Sequence, residues 1–134
     1  DHLPSPKADA IRVACVGNSI TDGHGIDMAT QHGYPALLQQ RLGEKYWVKK
    51  FGVSARTMLN KGDNPYMNEM AWRDAVAFNP DIVIIKLGTN DSKPGNWQYG
   101  AEFKQDLVQM ITTLCPELAN LPKNKKKILS WVQY

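Results

Sequence analysis

The sequence predicts a three-layer α/β/α domain built on a parallel sheet with strand order 2-1-3-4. Three observations lead there. Short apolar runs alternate with longer amphipathic stretches along the chain, as expected of strands joined by right-handed crossover helices. The run Ile82-Val83-Ile84-Ile85 is apolar at every position, which suits a parallel strand buried on both faces. Gly17, Gly52 and Gly88 each follow one of these runs, so parallel strands would bring three glycine-containing loops to one edge.

The elements follow in order. The first strand is expected over residues 11–16. A helix over 34–42 has apolar residues at helical spacing, and Gly43 is its stop. The second strand covers 46–51 and ends at Gly52. Residues 54–65 contain Gly62, Asp63, Asn64 and Pro65 and read as loop. A helix over 66–78 puts Met67, Met70, Ala71 and Ala75 on one face, and Asn79-Pro80 ends it. The third strand is 82–85, followed by a polar loop over 88–100. A helix over 101–114 has a core stripe of Phe103, Leu107, Met110, Ile111 and Leu114, with Pro116 just past its end. A fourth strand is expected over 128–132. The chain carries no internal repeat and no linker. Residues 1–10 form a polar tail and 11–134 a single domain, a size that can bury a core. The strand order is flavodoxin-like.

Composition narrows the function classes. Hydrophobic residues make up 43% and charged residues 22%, which is ordinary globular usage. The net charge of +3 is too small to argue for nucleic-acid or membrane partners. Lys123, Lys125, Lys126 and Lys127 hold most of the excess and read as a solvated lead-in to the last strand. Two cysteines, Cys15 and Cys115, make no disulfide framework and read as buried thiols. No apolar run reaches membrane-spanning length. The start at Asp1, in a polar stretch containing proline, fits a removed signal peptide or a chain cut from a longer one, so the location is not fixed.

The predicted edge gathers a hydroxyl and several amides. Ser19 follows Gly17, Gly52 lies in Phe51-Gly52-Val53-Ser54, and Asn90 lies in Gly88-Thr89-Asn90-Asp91. Acyl transfer needs a nucleophilic hydroxyl and donors aimed at the oxyanion that develops on the carbonyl oxygen. A glycine lets substrate approach a backbone N–H closely, and an asparagine amide is a neutral donor. Arg56 and Lys93 in the edge loops read as solvated surface, with contact to an anionic substrate as the other reading. Tyr66, Trp72, Trp97 and Tyr99 read as packing residues, with a pocket wall as the other reading. Asp63-Asn64 lacks the spacing of a metal loop, so no metal is expected.

Gly17-Asn18-Ser19-Ile20-Thr21, Gly52 and Gly88-Thr89-Asn90-Asp91 resemble, in order and spacing, the first three blocks of the SGNH (GDSL-type) hydrolases. The likeness covers about residues 11–115, and Leu87-Gly88-Thr89-Asn90-Asp91 is its most specific part. It implies a flavodoxin-like fold and an esterase, lipase or carbohydrate deacetylase working through an acyl-serine. It makes Ser19 the nucleophile. The Ser19 N–H, the Gly52 N–H and the Asn90 side chain would form the oxyanion hole, with Gly17, Asn18, Asp22, Gly88 and Asp91 supporting the loops. Asn18 stands where the GDS form of the motif has aspartate. The implied substrate is a small-molecule or carbohydrate ester, with no cofactor.

The last block of that family supplies a histidine and an aspartate spaced Asp-x-x-His. The histidines here are His2, His24 and His32, and none has that context. His24 would have to fold back over Ser19 to serve as base, so a loop or surface role is expected. His32 reads as polar surface or a helix N-terminal contact, and His2 as part of the tail. The family's last strand and helix are expected to be missing, and the 134 residues to be weakly active or inactive. An unprotected fourth strand would favour self-association into a homo-oligomer. Two other readings stay open. One is a non-catalytic phosphate- or flavin-binding module, with Ser19, Thr21, Gly23 and Gly25 as the cradle. The other is a degenerate hydrolase kept for interaction.

Overall fold

A computed structural model of the chain describes residues 9–23, 33–114 and 127–130. Four parallel strands, β1 (Ile11–Gly17), β2 (Tyr46–Gly52), β3 (Ile82–Lys86) and β4 (Lys127–Ser130), lie in the order β2-β1-β3-β4. This is the predicted order. β1 sits between β2 and β3 and is buried from Val13 to Gly17, which is why its sequence is almost unbroken apolar. β2 is an edge strand and buries only Phe51, so it tolerates Lys49 and Lys50.

Helices cover both faces. Ala14, Val16, Phe51, Val83 and Ile85 meet Trp72, Ala75, Phe103, Met110 and Leu114 in the main core. These last residues come from α3 (Met70–Phe78) and α5 (Phe103–Leu114). On the other face lies α2 (Tyr34–Leu42). Its Gln39 is buried and accepts from the Val48 N–H at 2.7 Å while donating to the Tyr46 carbonyl at 2.8 Å. One amide side chain thereby fixes α2 to the open edge.

Several elements differ from expectation. The stretch over 66–78 is broken at Glu69, which is extended and separates a 3-10 turn (Tyr66–Asn68) from α3. The Glu69 carboxylate is drawn to Arg56 at 2.9 Å, a tie that a local pattern does not carry. Met70 is consequently exposed, and Trp72 takes the core position. The loop over 88–100 contains a 3-10 turn (Asn90–Ser92) and the short helix α4 (Pro94–Trp97), and another 3-10 turn (Gly100–Glu102) delays α5 to Phe103. Asn79 ends α3 in the left-handed conformation, which asparagine adopts more readily than most residues. Residues 131–132 of the predicted last strand, and Cys115, lie outside the described residues.

Candidate active site

Parallel register sets the site. Gly17 is opposite Gly52 on β2 and opposite Lys86 on β3, so three strands end side by side. The Val53 N–H donates to the Gly17 carbonyl at 3.0 Å as the chain leaves β2. Beyond β1, Asn18 is buried and Ser19, half-buried, starts the one-turn helix α1 (Ser19–Asp22). That turn is closed by the Asp22 N–H on the Asn18 carbonyl and the Gly23 N–H on the Ser19 carbonyl, both at 2.9 Å. Ser19 therefore stands at the C-terminal edge of the central strands, where ligands of open α/β sheets bind.

Gly52 has a steric role here. A Cβ on it would lie 2.4 Å from the Asp22 nitrogen and 2.8 Å from the Thr21 carbonyl carbon. The backbone of α1 thus rests directly on the end of β2. Asp22 adds to this seating: Lys50 Nζ donates to its carbonyl at 2.9 Å and lies 3.8 Å from its carboxylate. Thr21 is fully buried, with Oγ1 3.4 Å from the Tyr34 hydroxyl. Gly25, which the phosphate-cradle reading also invokes, lies outside the described residues.

Asn90 opens the turn after β3, reached through Gly88 at φ +128°, a conformation open to glycine. One Asn90 Nδ2 hydrogen is donated to the Arg56 carbonyl at 3.0 Å. The amide group has two such hydrogens, and this bond commits one of them and orients the side chain. Arg56 is held in turn: Nε donates to Glu69 at 2.9 Å and Nη1 to the Ser54 carbonyl at 3.0 Å. This replaces the solvated-surface expectation for Arg56. Ala55 just before it has φ +65°, a strained backbone for a residue with a Cβ.

Asp91 points away from the open edge. It is fully buried and accepts from the Met58 N–H at 2.9 Å and the Leu59 N–H at 2.7 Å. Burial raises its pKa, the bonds from Met58 and Leu59 oppose the rise, and the nearby Asp106 adds to it. Asp91 thereby ties the turn after β3 to the loop after β2. Sequence reasoning missed two further ties. Asp106 accepts from the Asn60 N–H at 2.9 Å, and the Asp63 N–H donates to Asn96 at 2.8 Å. A signal existed for Asp106, a charged residue at the inward spacing of the α5 stripe. None existed for Asn96.

Tyr66 and Trp72 are core residues. Tyr66 donates its hydroxyl to the Phe51 carbonyl, and burial raises its pKa. Cys15 is buried, and its thiol is pushed up to about 11 by desolvation, partly offset by a hydrogen bond with Tyr34. His2, His24 and His32 lie outside the described residues. Among the described residues no group of three or more His, Cys, Asp or Glu side chains could hold a metal ion, and no helix is long and apolar enough to cross a membrane.

Comparison with known proteins adds to this geometry. Residues 15–128 match the GDSL-like lipase/acylhydrolase family. The chain is 73% identical over 125 residues to a protein of Xylanibacter ruminicola called acetylxylan esterase, covering 93% of this chain and 26% of that protein. The chain thus spans about a quarter of that relative's length. Among solved structures, the native M. smegmatis aryl esterase is 27% identical with a TM-score of 0.64, covering 90% of this chain and 63% of that one. Est24, a carbohydrate acetylesterase from Sinorhizobium meliloti, is 25% identical with a TM-score of 0.61, covering 90% and 62%.

Proposed function

The chain belongs to the GDSL-like lipase/acylhydrolase family, and on that premise we propose that it carries the nucleophile and oxyanion-hole half of a serine esterase acting on O-acetylated carbohydrate. The observation that carries this reading is the register: Gly52 ends β2, and Ser19 and Asn90 follow the adjacent parallel strands β1 and β3. The relative called acetylxylan esterase supports the carbohydrate acetyl ester as substrate.

In this reading Ser19 Oγ attacks the acetyl carbonyl carbon, and the hydroxyl proton passes to a base. The carbonyl oxygen becomes an oxyanion, which the Ser19 N–H, the Gly52 N–H and the second Asn90 Nδ2 hydrogen receive. Such donors act because they are fixed before charge develops, and Asn90 is fixed by the Arg56 carbonyl. Collapse of the intermediate breaks the C–O bond to the sugar, whose oxygen takes up a proton. Water then cleaves the acetyl-serine, releasing acetate and restoring the hydroxyl. No histidine of this sequence follows Asn90, so the 134 residues lack the base in its family position. Their own turnover is expected to be low, because a serine hydroxyl without a base is a poor nucleophile.

Rescue by a diffusible base tests the assignment. Hydrolysis of 4-nitrophenyl acetate is followed with rising imidazole for the chain and for Ser19→Ala, with the buffer rate subtracted. The expected result is a protein-dependent, imidazole-dependent rate that Ser19→Ala removes. Equal rates for the two proteins would refute Ser19 as nucleophile.

A further inference from the structure

The loop after β2 and the segment after β3 border an open polar groove of about 430 Å³. Its walls are joined by a reciprocal pair. The Asp63 N–H donates to Asn96 Oδ1 at 2.8 Å, and Asn96 Nδ2 lies 3.2 Å from Asp63 Oδ1. The same Nδ2 donates to the Asn90 carbonyl at 2.8 Å. Asn96 is therefore shared between the groove and the residue that carries the candidate oxyanion donor. It is buried, so both walls are set before any ligand arrives.

The lining tells what fits. Lys61 is matched by Glu102 at 3.1 Å, and its ammonium lies 5.7 Å from the centre of the Tyr99 ring. Lys93 offers an ammonium with no ion pair among the described residues, and Asp63 offers a carboxylate. Gln98 Nε2 is used by the Gly95 carbonyl at 2.7 Å, which leaves its Oε1 as an acceptor. Glu102, just outside the lining, neutralises Lys61, and Lys93 shares the groove with Asp63, so no net charge is left to select the ligand. Closely spaced donors and acceptors beside the half-buried Tyr99 suit a neutral, polyhydroxylated ring with an apolar face.

We propose that this groove is a subsite for a neutral sugar unit of the chain whose ester is cleaved at the strand ends. Its place in catalysis rests on the esterase reading, but sugar binding does not. Lys93 and Gln98 donate to and accept from ring hydroxyls, and Tyr99 supplies a wall. The subsite would favour esters carried on a sugar chain over simple aryl esters, which leave the groove empty.

Titration of the 134-residue chain with unsubstituted xylopentaose, followed by amide NMR shifts, tests the binding. Saturable shifts are expected at residues 61–63 and 93–99. The double variant Lys93→Ala/Gln98→Ala is expected to bind at least tenfold more weakly, with a melting temperature like that of the parent because both side chains are exposed. Ser19→Ala is expected to bind the sugar as the parent does. Absence of shifts in the groove, an unchanged affinity in the double variant, or tenfold tighter binding of an oligogalacturonate would each overturn the proposal. Loss of imidazole-dependent hydrolysis with sugar binding retained would instead count against the esterase reading alone.

Discussion

Gly52→Ala is the sharpest perturbation available, because the new methyl meets backbone and not a movable side chain. Its carbon would sit 2.4 Å from the Asp22 nitrogen and 2.8 to 2.9 Å from two more main-chain carbons of α1. Reaching ordinary contact requires α1 to retreat by roughly 1 Å, against the parallel pairing that fixes β2 to β1 and against Lys50 on the Asp22 carbonyl. Overpacking of this kind costs about 2 kcal/mol, equivalent to roughly 8 °C in Tm for a domain of this size. Because α1 begins with Ser19, the same retreat misplaces the hydroxyl, and ~1 Å of misplacement costs on the order of 100-fold in reaction rate. Thermal unfolding by circular dichroism reads the first effect, and phosphonylation of Ser19 by a fluorophosphonate in the presence of imidazole, with loss of fluoride and followed by mass spectrometry, reads the second. Gly95→Ala is the control, since a Cβ there meets nothing within 4 Å. If Gly52→Ala melted with the parent and was phosphonylated at the same rate, the seating of α1 on β2 would not be what places Ser19.

Two further outcomes follow from buried groups. Asp91 has a folded pKa raised above its ordinary 3.8 by burial, so the folded state binds that proton more readily than the unfolded chain. Its contribution to stability is fully present below about pH 3.8 and is lost as pH rises through the raised value. Asp91→Asn should flatten this part of the pH profile in urea titrations, while costing about 1–3 kcal/mol because its amide nitrogen cannot accept from Leu59; an unaltered profile would refute the account. The Cys15 thiol, pushed up to about 11 and buried, should resist iodoacetamide at pH 8 in the native protein and react only after unfolding, as peptide mapping at Cys15 would reveal.

The framework was legible where periodicity is strong. The continuous run in β3 and the near-continuous run in β1 marked the inner strands, and the glycines at 17, 52 and 88 marked the edge at which they end. Other features depend on partners distant in sequence. Nothing local announces that Glu69 leaves the helical path for Arg56, 13 positions earlier. Nor does any spacing tell that Asn90 is oriented by a carbonyl 34 positions away. The helix at Ser19 is a single turn, too short to show a period. Asp91 was legible as part of a motif, but its work in gripping Met58 and Leu59 follows only from the way the two loops stack.

That grip has a dynamic consequence. The loop over 54–65 has little ladder of its own, and several of its amide hydrogens are held by side chains of the segment after β3 and of α5. Such a loop cannot fray by itself, because releasing Met58, Leu59, Asn60 or Asp63 strands a carboxylate or a carboxamide oxygen in the neighbouring segment. The two regions therefore open as one cooperative unit with a shared opening free energy. Amide exchange at these four residues would report the integrity of the Asn90 turn, although none of the four belongs to a helix or a strand.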